Sequence, residues 1–81
     1  MTEYIATFFT HFSAMQTQKA LAAQGVDARM EPVPRALSAS CGVCVRYRAQ
    51  ADCSGAFHRD WEGLYRRAGD AYEVVKRNAA L

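Results

Sequence analysis

Three cysteines, Cys41, Cys44 and Cys53, and two histidines carry most of the chemical capacity of this 81-residue chain. Cys41 stands in the run Val33-Pro34-Arg35-Ala36-Leu37-Ser38-Ala39-Ser40-Cys41-Gly42. Pro32 and Pro34 bracket Val33 and fix the backbone entering the run, because each proline locks its own φ and restricts the residue before it. Gly42 opens conformations that a side chain would block. A thiol accepts sulfur or attacks an electrophile only as thiolate, so its neighbours must favour the anion. Arg35 offers a guanidinium to a loop that folds back. The Ser38 and Ser40 hydroxyls and the backbone N–H groups around Gly42 offer hydrogen bonds to a sulfur or selenium anion. A helical turn over Arg35–Ala39 would instead put Cys41 at its negative end, with the opposite effect. The sequence leaves that open.

Cys41 and Cys44 form a C-x-x-C, which makes Cys44 a candidate resolving thiol. Residues three apart in a strand point to opposite faces, so the two sulfurs meet only if Cys41 lies outside regular pairing. Cys41, Cys44, Cys53 and His58 together supply the ligand types of a Cys3His zinc site. Their spacing matches none of the common finger or ribbon patterns, so neither a metal nor another cofactor is expected. His11, at the entrance to a helix, reads as a solvated residue. Gly42–Tyr47 lacks the stacking aromatics of an RNA-binding strand, and no nucleic-acid partner is expected.

These residues are positioned by elements that the sequence marks out. Tyr4–Phe9 is aromatic and β-branched, the composition of a strand. Thr10 or Ser13 caps a helix over Ala14–Gln24 that ends at Gly25, with Ala14, Met15, Thr17 and Leu21 toward the core. Val26–Val33 reads as an edge strand, followed by the Pro34–Gly42 loop. Val43–Arg48 alternates, placing Val43, Val45 and Tyr47 on one face and Cys44, Arg46 and Arg48 on the other. Asp52 or Ser54 then caps a second helix with a stripe of Phe57, Trp61, Leu64 and Ala68, stopped by Gly69. Ala71–Lys76 forms a last strand before a frayed tail over Arg77–Leu81. The order β-α-β-β-α-β predicts an α+β, ferredoxin-like split βαβ fold, a four-stranded antiparallel sheet with two helices on one face.

One domain fits the length. A hydrophobic fraction of 51% against 22% charged residues excludes disorder, and a net charge of +2 excludes a dedicated nucleic-acid binder. No run approaches the ~20 apolar residues of a membrane span. The amino terminus has no positive region before its short apolar run, so no signal peptide is read there. The expected location is the cytoplasm, where thiols stay reduced, and an odd cysteine count argues against a disulfide framework.

The phrase Val33-Pro34-Arg35-x-x-Ser38-x-Ser40-Cys41-Gly42 before a short strand resembles the hallmark of a small bacterial family of selenium/sulfur carrier-like proteins. The helix with Ala14, Lys19 and Leu21 before Gly25-Val26 is similar to the same family, and the resemblance runs from Tyr4 to about Arg48. It implies a carrier that takes a chalcogen on Cys41 as persulfide or selenosulfide, with Arg35, Ser38, Ser40 and Gly42 as its surroundings. It also implies a partner of the sulfurtransferase or cysteine-desulfurase type. Catalysis in the usual sense is not required of such a shuttle. Cys44 departs from the family, which commonly has an aliphatic residue there. The alternative expectation is a regulatory or assembly domain that docks or forms a homodimer through its exposed sheet face, with Cys41 structural.

Overall fold

Tyr4, Ile5 and Phe8 give the first segment the bulky character that suits a pleated surface. In the computed structural model, which describes residues 1–79, Thr2–Phe8 is strand β1. Thr10 caps helix α1 (His11–Ala23): its Oγ1 accepts the Ser13 N–H at 3.1 Å, satisfying one orphan donor of the first turn. Ser13, Ala14, Thr17 and Leu21 recur at helical spacing and are buried. Gly25, at φ 82, turns the chain into strand β2 (Ala28–Pro32). Strands β3 (Val43–Ala49), β4 (Trp61–Ala68) and β5 (Ala71–Arg77) follow. They make one five-stranded sheet, antiparallel throughout, in the order β2-β3-β1-β4-β5.

The two-helix, four-stranded ferredoxin-like expectation is overturned. The segment expected to be a second helix holds only a 3₁₀ turn (Ser54–Ala56), and Trp61–Ala68 is a strand hydrogen-bonded on both sides. The physical reason lies in residues 61–71. Gly63 weakens a helix interior by about 1 kcal/mol relative to Ala, while Trp61 and Tyr65 favour strands. Gly69, at φ 62, is not a helix stop but one half of the Gly69-Asp70 turn that pairs Ala68 with Ala71 in a hairpin. The exposed side of β1 is thereby filled by β4, and Ala71–Arg77 becomes a fifth strand at the edge. Arg77 belongs to β5, and the rest of the expected tail reaches Ala80 and Leu81, which lie outside the described residues.

The helix-side face carries the main core, with Tyr4, Ala6, Phe8, Val45, Tyr47 and Leu64 packed under Ala14 and Leu21. Phe57, from the β3–β4 connection, sits edge-on to Phe8, Tyr47 and Trp61 at centroid distances of 6.2, 6.1 and 5.6 Å. The stripe expected of a helix therefore reaches the core by another route, as a connection plus a strand.

That connection is tied down by polar contacts at both ends. The His58 N–H donates to Thr17 Oγ1 at 2.8 Å, His58 Nδ1 shares a hydrogen bond with Asp60 Oδ1 at 2.8 Å, and Thr10 Oγ1 donates to Asp60 Oδ2 at 3.4 Å. Burial works against the Asp60 charge. Hydrogen bonds from Ser13, His58 and Thr10, with the imidazole charge, outweigh it and hold the carboxyl below its usual range. Asp52 is held low chiefly by the Ser54 N–H, and also by Lys76, which outweigh its own burial.

A carboxylate with a depressed folded pKa contributes stability that is complete above its unfolded value, about 3.9, and is lost as pH falls through the folded value. The double variant Asp52→Asn, Asp60→Asn is expected to be less stable than wild type at pH 6 and to lose less on acidification. Thermal melts at pH 6 and at about pH 2.5 check this; equal losses in the two proteins would refute the assignment.

Candidate functional site

The Pro34–Gly42 loop is closed at its base. Beyond the last β2–β3 pair, Pro32 with Val43, the Val33 N–H donates to the Gly42 carbonyl at 3.1 Å. The Leu37 N–H donates to the Pro34 carbonyl at 3.0 Å, so Pro34–Leu37 is a turn inside the loop. Gly42 has φ 77, a conformation costing most other residues roughly 1–2 kcal/mol. Cys41 is held just before it, half-buried against the helix-side core, and its thiol donates to the Val43 carbonyl at 3.6 Å.

The loop is also pinned from the far side of β1. The β1–β4 register pairs Thr7 with Gly63 and Phe8 with Trp61, which leaves Glu62 as the extra residue of a bulge. Bulges re-aim side chains, and this one sends the Glu62 carboxylate to Ser40. The Ser40 N–H donates to Oε1 at 3.2 Å and the Ser40 hydroxyl to Oε2 at 3.0 Å. Glu62 has no place among the residues that sequence singled out, because a helical reading of 61–68 leaves it on a solvated face. The hairpin signal at Gly69-Asp70 could have found the strand, but not the bulge.

Of the expected surroundings of Cys41, Ser40 and Gly42 therefore have defined roles in shaping the loop. Arg35 and Ser38 are exposed, and neither makes a side-chain hydrogen bond or ion pair among the described residues. The guanidinium points of contact expected at the thiol are absent from the resting loop.

Cys44 and Cys41 belong to opposite sides of the sheet. Cys44 is fully buried with Ile5 and Tyr65 on the face away from α1, under Val33 and Leu37 of the loop and Tyr72. Burial pushes its thiol up to about 11; Arg46 pulls the other way, and Glu31 and Cys41 add to the rise. Its Sγ donates to the Pro32 carbonyl at 3.7 Å. A bond between the two sulfurs requires the loop to leave this position. Cys53 lies against the helix-side core at φ 57, left-handed for a residue with a side chain. Among the described residues, no group of three or more His, Cys, Asp or Glu side chains comes together to hold a metal ion. His58 is engaged by Asp60 rather than by sulfur.

The rest of the second face is charged, and several of its charges are paired. Arg46 bonds Glu31 at 2.8 Å and also Glu3, and Arg67 reaches Glu3 at 3.4 Å. No helix among the described residues is long and apolar enough to cross a membrane.

Comparison with known proteins adds a family. Residues 3–56 match the family described as "Putative Se/S carrier protein-like". An uncharacterised Escherichia coli K12 protein, YtiA, is 38% identical over 45 residues, covering 56% of this chain and 53% of that protein. The chain thus matches about half the length of this relative. No solved structure gives a significant match. The loop, Cys41 and Cys44 all fall inside the matched residues, whereas Glu62 lies beyond them.

The geometry predicts an order of thiol reactivity. At pH 7 a thiol with a pKa near 11 is ionised about two orders of magnitude less than an ordinary one, before burial itself is counted. Under native conditions iodoacetamide is expected to modify Cys41 well before Cys44. Leu37→Ala, which thins the cover over Cys44, is expected to narrow that gap. Peptide mapping of a labelling time course decides it, and prompt native labelling of Cys44 in wild type would contradict the buried placement.

Proposed function

We propose, from the premise that the chain belongs to the "Putative Se/S carrier protein-like" family, that Cys41 accepts a sulfur or selenium atom and passes it to a partner protein. The observation that carries this reading is the placement of Cys41. It is half-exposed in a loop closed at its base and pinned by Glu62, within the residues that match the family. A shuttle needs a thiol that a partner's sulfur can reach and a frame that presents it reproducibly.

Loading needs no oxidant. The Cys41 thiolate attacks the terminal sulfur of a donor persulfide, of the kind a cysteine desulfurase or sulfurtransferase carries. The new S–S bond forms as the donor's S–S bond breaks, and the donor cysteine leaves as thiolate. The transferred atom keeps its oxidation state, arrives protonated and then loses its proton to water, and a selenium atom would pass in the same way to give a selenosulfide. Hand-over repeats the step with Cys41 as the leaving thiolate. A leaving thiolate is better tolerated at a partly solvated sulfur than at one sealed in a core, which favours Cys41 over Cys44 as the carrier.

Incubation with a cysteine desulfurase and cysteine, without reductant, is expected to add the mass of one sulfur. The adduct should map to Cys41, vanish in Cys41→Ser and persist in Cys44→Ser. Loading of Cys41→Ser to the wild-type extent would end this proposal.

A further inference from the structure

Both hydrogen-bond donors of Ser40, the residue before Cys41, are already in use. The Ser40 N–H and hydroxyl both point at the Glu62 carboxylate, at 3.2 and 3.0 Å. Two donors converging on one anion, one residue from the thiol, form a small anion site that holds an anion of the protein's own. Resting on the carrier reading above, we infer that this donor pair is where the terminal chalcogen anion on Cys41 is stabilised, and that Glu62 competes with the cargo for it.

A persulfide is a stronger acid than its parent thiol, so a loaded Cys41 ends in an anion at neutral pH. The Ser40 donors have limited capacity, and a carboxylate and a chalcogen anion brought together on them repel each other. Arg35 makes no ion pair among the described residues, and the Cys41 thiol meets only the Val43 carbonyl, an acceptor. Among the described residues no donor is hydrogen-bonded to the sulfur. Glu62 therefore has two effects of opposite sign. It positions the loop, and it withholds from the cargo the donors that would retain it. Its place as the bulged residue of β4, reaching across the end of β1, is what brings a carboxylate to this point. Competition of this kind keeps the cargo transferable, since a terminal atom held by two charge-assisted hydrogen bonds would leave more slowly.

The sign of the effect separates this role from simple loop bracing. If Glu62 only braces the loop, its removal exposes the loaded sulfur and speeds its loss. If it competes with the cargo, its removal frees Ser40 and slows the loss. Wild type, Glu62→Gln and Glu62→Ala are loaded with a desulfurase and cysteine, freed of both, and treated with cyanide. Cyanide takes the terminal sulfur as thiocyanate and returns Cys41 as thiolate. Intact mass followed over time is expected to show loss slowed about threefold or more in both variants, the scale of one charge-assisted bond at a partly exposed position. Adding Ser40→Ala to Glu62→Gln should remove much of the slowing. Loss in the Glu62 variants that matches or outpaces wild type overturns the inference while leaving the carrier reading intact. No added sulfur on wild-type Cys41 overturns both.

Discussion

A five-stranded sheet has two faces, and the described residues supply a long helix for only one of them. The apolar part of the other face, Ile5, Cys44 and Tyr65, must be kept from water by something else. Leu37 of the Pro34–Gly42 loop does this together with Val33 at the loop's base, and burying a side chain such as leucine is worth roughly 1.5–3 kcal/mol when complete. The contact that completes the second core is therefore also the contact that fixes the loop. Cys41 gains its position from packing that occurs several residues away. Base closure at Val33–Gly42 and the Glu62–Ser40 clasp then remove the freedom that remains.

Beyond the loop, the second face stays wet, and charge takes over from packing. Glu31, Arg46, Glu3 and Arg67 form a connected set in which each acid meets an arginine. These pairs are only partly exposed, and they supply polar partners to a surface that the helix does not cover. The sheet edges are blunted by separate devices. β2 is short and ends in Pro32, which has no N–H to offer. In β5 the register shift leaves Val75 as an extra residue between the pairs Leu64–Lys76 and Tyr65–Val74. Such a bulge spoils the flat edge that a second strand would need.

The first half of the chain was largely legible from its residues. Thr10 capping, the Ala14, Thr17 and Leu21 face, the Val43–Tyr47 alternation and an edge β2 ending in proline all follow from local rules that packing does not override. The second half misled because its apolar spacing satisfies two periods at once. Phe57, Trp61, Leu64 and Ala68 fit a helical stripe. Yet Gly63, Leu64 and Tyr65 are buried in succession because both faces of β4 are covered, and that is a tertiary fact. The same limit hid Glu62. A bulge arises from register between strands distant in sequence, and no local pattern announces which residue it will turn outward. Arg35 illustrates the converse: its residue type suited an anion site, but the Pro34–Leu37 turn leaves its side chain exposed.

In the loop the Cys41 sulfur lies against the Val43 carbonyl. A hydrogen bond that Cys41 donates to the Val43 carbonyl exists only while the proton is present, and it sets the sulfur facing an acceptor. On the proposed carrier reading, attack and cargo binding would each place negative charge there and would each require donors to replace that bond. Two neighbouring donor groups are spoken for: Ser40 by Glu62, and the Val33 N–H by the Gly42 carbonyl in closing the base. A loop with spare donors at the sulfur would bind its cargo tightly and return it slowly. On the proposed reading, a loop whose donors are held by its own carboxylate would exchange one anion for another without unfolding, since neither the backbone closure nor the Leu37 packing involves Ser40 or Glu62. The proposed carrier reading thus assigns rigidity of the frame and lability of the cargo to different residues, a division that a buried thiol such as Cys44 does not offer.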